Sequence, residues 1–180
     1  MLKRFAIAVL MTCSLVLAGC VSGAGGLQQY VDATKGYEFL YPNGWVAVNV
    51  SNGPDVVFHD LVESTENVSV IGSRVSDDKQ LADLGTPGEV GYQLSKNAIA
   101  PEDSGRTAEL VNAGSKTVGD KMYYLLEYAV ELADGSTRHN LASVAVSRGK
   151  LVTFNLSTTE KRWQKLHTLF ETVVQSFKVY

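Results

Sequence analysis

From Tyr37 onward the chain alternates short β-rich runs with turn dipeptides and closes on one stretch of helical period, so it can only build a sheet covered by a few helices. Runs at Tyr37 to Tyr41 and Trp45 to Val50 flank Pro42-Asn43-Gly44 and predict a hairpin. Asp55 to Leu61 and Asn67 to Val75, separated by the polar segment Glu63 to Glu66, predict a second. Farther on, Thr107 to Val118, Lys121 to Leu132, Thr137 to Ser147 and Leu151 to Leu156 are punctuated by Gly119-Asp120, Asp134-Gly135 and Arg148-Gly149, the pattern of an antiparallel meander.

Two helices are expected. Glu89 to Ala98 places Val90, Leu94 and Ala98 at intervals of four, after the turn Gly85-Thr86-Pro87-Gly88 and before a loop over residues 99–105. Near the C-terminus Trp163, Leu166, Phe170, Val173 and Phe177 recur at intervals of three and four, an apolar stripe that packs on a sheet. Ser157-x-x-Glu160 is a capping-box start for that helix. The fold class is therefore α+β, an antiparallel β-sheet sandwiched between helices.

Ahead of this domain, Lys3 and Arg4 precede an apolar run from Phe5 to Val16 and then Leu17-Ala18-Gly19-Cys20. That order is an export signal, and its last four residues match a bacterial lipobox, whose cysteine accepts lipid. The apolar run is shorter than the roughly 20 residues that span a bilayer. Residues 1–19 are thus expected to be a signal peptide, 20–35 a lipidated N-terminus and flexible tether, and 36–180 the domain. Cys20 is the lipidation site, acylation anchors the protein to the membrane, and about 15 tether residues reach roughly 20 Å. With Cys13 removed, the mature chain has no second cysteine for a disulfide.

Lys3 and Arg4 are two of 16 basic residues against 19 acidic ones, so removal of residues 1–19 takes the net charge from −3 to −5. A negative domain with scattered cations excludes nucleic acid as a partner. No His-Glu-x-x-His, Gly-x-Ser-x-Gly, phosphate loop or paired-cysteine motif occurs, and Ser143 and Ser147 near His139 do not by themselves make a nucleophile; a non-enzymatic monomer is expected. Among the histidines, His167 borders the apolar stripe and His59 is expected to pair with Asp60 at the surface. His139 is different: a two-residue turn at Arg148-Gly149 sets it opposite Thr158, with Glu160 on the diagonal, within reach of a long side chain. This predicts a weak divalent-metal site (Zn, Mn or Ca) at His139 and Glu160, set against a reading in which Glu160 only caps its helix and His139 is solvated. Arg138, Lys161 and Arg162 are expected to form an exposed basic docking face.

Gly36-Tyr37-Glu38-Phe39-Leu40-Tyr41-Pro42-Asn43-Gly44-Trp45 resembles the opening of the PsbP family. Asp55 to Asp60, Leu84 to Gly91, Arg138 to Ala142 and Glu160 to Trp163 resemble later blocks of that family in the same order, and the lipobox is similar to its cyanobacterial form. The resemblance implies an antiparallel sheet between helical layers in a protein on the lumenal side of the thylakoid membrane, associated with photosystem II and its oxygen-evolving complex. It implies a role in assembly or stability of that complex, or in calcium and chloride retention, and a metal-linked position at His139 with an acid at Glu160. From the residues alone, the alternative function is an extracytoplasmic carrier of a divalent metal or small ligand.

Overall fold

The computed structural model describes residues 26–180; the expected signal peptide, Cys20 and the first part of the expected tether lie outside the described residues. Ten strands and two α-helices follow one another: β1 (Leu27–Asp32), β2 (Tyr37–Pro42), β3 (Trp45–Val48), β4 (Val56–Asp60), β5 (Asn67–Arg74), α1 (Pro87–Leu94), β6 (Thr107–Val118), β7 (Lys121–Glu131), β8 (Thr137–Ser147), β9 (Lys150–Thr159), α2 (Glu160–Gln175) and β10 (Lys178–Val179). A seven-stranded antiparallel sheet runs β3-β4-β5-β9-β8-β7-β6, and a three-stranded one runs β1-β2-β10.

The β6–β9 meander forms as expected, and its register is set at the Arg148-Gly149 turn, where both residues have positive φ (53° and 68°) and Ser147 faces Lys150. That turn geometry carries the right-handed twist of the flanking strands. The second expected hairpin is β4–β5. The first is not a hairpin: β2 pairs with β1 and β10, while β3 pairs with β4. Pro42-Asn43-Gly44 instead passes the chain from one sheet to the other, because Phe39 and Tyr41 find their aromatic partners across the core rather than along β3. Leu27 to Asp32, expected to belong to a flexible tether, instead form β1, and Leu27 is buried.

Alternation along β7, β8 and β9 divides the apolar residues between two cores. Tyr123, Leu141, Phe154 and Leu156 meet α2 and the small sheet on one face, while Tyr124, Leu126, Tyr128 and Val144 meet α1 on the other. α1 is shorter than expected and gives way to a π-type turn at Ser95–Ile99. It starts on a capping box in which Thr86 Oγ1 accepts from the Glu89 amide and Glu89 accepts from the Thr86 amide. Gly91 lets it approach the sheet: a Cβ there would lie 2.9 Å from Leu110, and the Gly91 carbonyl accepts from the Tyr128 hydroxyl at 3.0 Å. Burial pushes that phenol well above its ordinary pKa.

β9 runs three residues past the expected Leu156, so Ser157 belongs to the strand and Thr159, whose hydroxyl accepts from the Arg162 amide, is the N-cap of α2. Phe177 lies beyond the helix end but remains in the same core. Phe154 joins the layers, stacking on Phe39 of the small sheet at 4.5 Å and on Phe177 at 5.3 Å with no exposed surface. Phe154→Ala is expected to cost about 3–5 kcal/mol of stability, the range for deleting a buried aromatic ring, read as a lower urea midpoint at unchanged slope.

Candidate functional site around His139

His139 lies on β8 opposite Thr158 of β9, as the turn register predicts. It is 7% exposed, so it is not the solvated histidine of the alternative reading. Nδ1 lies 3.2 Å from Glu160 Oε2, and Nε2 lies 2.8 Å from Glu127 Oε1. The indole of Trp163, one turn into α2, stacks on the imidazole at 4.0 Å and 8°. Glu127 was not anticipated. It occupies the diagonal position on β7, since β7 pairs His139 with Ala129 and Leu141 with Glu127. The signal was available in the same ladder counting that found Glu160, applied to the other neighbour of β8.

This constellation has two chemically consistent states. With both ring nitrogens protonated, the imidazolium donates to a carboxylate on each side. With only Nε2 protonated and donating to Glu127, the Nδ1 lone pair and Glu160 face one point and can share a cation, with Glu127 orienting the ring as an outer-shell carboxylate does. Two protein donors are fewer than the three or four of a resident zinc site, and no group of three or more ligating side chains converges among the described residues. The donor set fits a weakly held ion with water completing its shell, and does not fit a built-in metal cofactor.

Beside this site lies a buried ionic cluster. Glu66, in the turn before β5, has no exposed surface, yet it accepts from the Thr158 hydroxyl and from Arg162 Nε and a terminal nitrogen at 3.1 and 2.7 Å. Asp60 completes the cluster, 3.6 Å from Arg162 and accepting from the Trp45 indole at 3.2 Å. The sequence of this turn shows only polarity; nothing local marks Glu66 as buried.

The sequence model of the PsbP family matches residues 25–179. The chain belongs to the PsbP family. CyanoP of Thermosynechococcus vestitus (strain NIES-2133 / IAM M-273 / BP-1) is 53% identical over 184 residues, covering 100% of both chains. CyanoP of Synechocystis sp. (strain ATCC 27184 / PCC 6803 / Kazusa) is 47% identical over 188 residues, again covering 100% of both. The solution structure of cyanobacterial PsbP (CyanoP) from Synechocystis sp. PCC 6803 superposes with a TM-score of 0.75 at 50% identity, covering 91% of this chain and 99% of that one. The α+β architecture is thus that of a solved member of the family.

In this PsbP-family domain the expected basic face is largely spoken for. Arg138 is half-buried, donating from Nε to Ser157 and from its terminal nitrogens to the hydroxyl and carbonyl of Thr65, and Arg162 is bound to Glu66 and Asp60. Of the three cations only Lys161 is exposed. The expected His59–Asp60 side-chain pair is also absent: His59 Nδ1 contacts the Asp60 backbone carbonyl at 2.8 Å, because the Asp60 carboxylate is engaged by Trp45 and by the Val62 and Glu63 amides. His167 is exposed and meets Trp163 edge-on at 6.0 Å.

Removing Arg162 leaves Glu66 as an uncompensated buried charge. Arg162→Ala is therefore expected to cost about 3 kcal/mol, and pairing it with Glu66→Leu to recover most of that, both read by urea denaturation. Amides led by that of Glu63 hold the Asp60 carboxyl below its ordinary pKa, outweighing desolvation; the Val62 amide, Arg162 and Trp45 assist. The stability this contributes is complete above the unfolded-chain value of about 3.9 and is lost as the pH falls through the lower folded value. Asp60→Asn is expected to flatten the acid limb of stability against pH below about 4.

Proposed function

We propose that the chain is a lipid-anchored protein of the thylakoid lumen, held by acylated Cys20, that binds photosystem II and supports assembly or stability of its oxygen-evolving complex without catalysing a reaction. The observation that carries this reading is the likeness to CyanoP across 100% of both chains at 53% identity, joined to the export signal and lipobox at residues 1–20. With Arg138 half-buried against Thr65 and Ser157 and Arg162 ion-paired to Glu66 and Asp60, docking falls to what the neighbouring surface offers. Lys161 is exposed, and the turn that Arg162 fastens through Asp60 and Glu66 displays Leu61 at 65% and Val62 at 97% exposure. Exposed aliphatic residues beside a charge suit a partner surface that buries them on contact.

A second reading, a carrier of divalent cations, is favoured by the approach of His139 Nδ1 to Glu160. Its stacking on Trp163 supplies the test: in a Trp45→Phe background, zinc, manganese or calcium bound there is expected to change Trp163 emission saturably, and His139→Ala to abolish the change. An unresponsive emission, or one unaffected by His139→Ala, removes the carrier.

The docking reading is tested by gentle solubilisation of native membranes and mass spectrometry of what co-purifies with a C-terminally tagged chain, with Cys20→Ser as the unacylated control. Photosystem II subunits are expected to be enriched, and the enrichment to fall several-fold in the double variant Lys161→Glu, Val62→Asp. No enrichment even after mild crosslinking overturns the function; full enrichment of the double variant overturns this face.

A further inference from the structure

The half of the main sheet that α1 leaves uncovered floors a cavity of about 420 Å3, within the range of small-molecule sites. Its lip is apolar, built by Leu94, Ala98 and Ile99 from α1 and the turn after it, and by Val130 and Leu132 at the end of β7. Its floor is different in kind. The residues of β5 and β9 that face the other way are Val68, Val70, Phe154 and Leu156, all core; those facing the cavity include Asn67, Ser69, Thr153, Asn155 and Ser157. This row of small hydroxyls and amides is not a plain solvent face: Ser69 is 7% exposed, and Asn140, which pairs with Ser157 from β8, is 8% exposed. Asn155 Oδ1 is buried and has no hydrogen-bond partner among the described residues. A buried amide oxygen left unpaired costs free energy that a ligand donor would recover.

One end of the cavity is cationic. Arg138 pairs across the sheet with Val130, Val130 with Ala108, and Arg106 stands two residues before Ala108 on the same face, so both arginines line the same space. Neither forms an ion pair among the described residues, and Glu66 is held by Arg162. Burial lowers the pKa of Arg138; Glu63 and Glu66 oppose this, and Arg106 adds to it. A guanidinium half-withdrawn from water beside a second one is a place where an anion gains charge-assisted hydrogen bonds. Arg138 still has donors to spend beyond its bonds to Ser157 and Thr65.

We propose that this cavity binds a small amphipathic carboxylate, its head group held by Arg106 and Arg138 and its apolar body lying against Leu94, Ile99 and Val130 above the amide and hydroxyl floor. The site is on the sheet face opposite His139, and Leu61, Val62 and Lys161 of the proposed docking surface do not line it. It is tested on the isotope-labelled Cys20→Ser chain by titrating sodium octanoate, with 1-octanol and acetate in parallel, and following the amides of Ser69, Asn140 and Asn155 by NMR. Octanoate is expected to shift them saturably, and acetate and 1-octanol to bind at least tenfold more weakly. The Arg106 side chain makes no hydrogen bond among the described residues, so Arg106→Gln is expected to keep the melting temperature and to weaken octanoate about tenfold, the loss of a charge-assisted bond. Asn155→Leu is expected to abolish binding while leaving the fold intact, because the lost oxygen has no partner to strand. Absence of saturable shifts, equal binding of 1-octanol or acetate, or an Arg106→Gln chain that binds octanoate normally overturns the proposal.

Discussion

A carboxylate with no exposed surface has to be paired, and at Glu66 that requirement holds the domain together at the end where α2 begins. Arg162 meets it from the first turn of α2, and Thr158 meets it from the strand that leads there. Asp60 shares the guanidinium and in turn receives the Trp45 indole, so β3, β4, the turn before β5, β9 and α2 converge on one ionic cluster. Such a cluster is weak evidence of net stabilisation, because desolvating the ions offsets their attraction. What it supplies is an exact partner requirement: α2 cannot slide or rotate on the sheet without stranding a buried charge.

The geometry around His139 follows from that anchoring. Arg162 fixes the first turn of α2, which carries Glu160 and Trp163 to the imidazole, while the β7–β8 register brings Glu127 to its other edge. The ring is thereby held on three sides by groups from two elements, α2 and β7. This pre-organisation is what either a buried ion pair or a weak cation site requires, and it explains how a histidine between acids can be almost wholly withdrawn from water.

The main sheet is asymmetric in the way it is covered. One face is closed by α2 and the small sheet through the Phe39–Phe154–Phe177 stack, and there the alternate residues of β5 and β9 are large and apolar. The other face is closed by α1 chiefly over β6 and β7, and beyond that cover the strands present Asn, Ser and Thr. Such residues give up core volume for hydrogen-bonding capacity, which is why the uncovered half is a polar-floored cavity and not a collapsed contact. The surface aliphatics Leu61 and Val62 sit on the β4–β5 turn and do not line it, although Thr65 of that turn does, so the domain has one surface suited to a protein partner and a concavity suited to a small molecule.

Strand order within β6–β9, the β4–β5 hairpin and the two helices were legible in the residues, because each depends on local period and turn chemistry. Ladder counting from Arg148-Gly149 also placed His139 against Thr158 and near Glu160, since a tight turn sets register without reference to the rest of the fold. The β2–β3 hairpin failed for the converse reason: Pro42-Asn43-Gly44 marks a turn, but whether the strands around it pair or part is settled by Phe39 and Tyr41 packing on Phe58 and Phe154, far along the chain. β1 was hidden because a strand that is mostly exposed carries little apolar signal. By itself the sequence determined most of the local elements and the register of the meander, which rest on short-range chemistry. Only the tertiary structure decided that Glu66 is buried, that Arg138 is half-withdrawn from the surface and Arg162 ion-paired, and that Glu127 completes the surroundings of His139, because burial and charge pairing are set by residues distant in the chain.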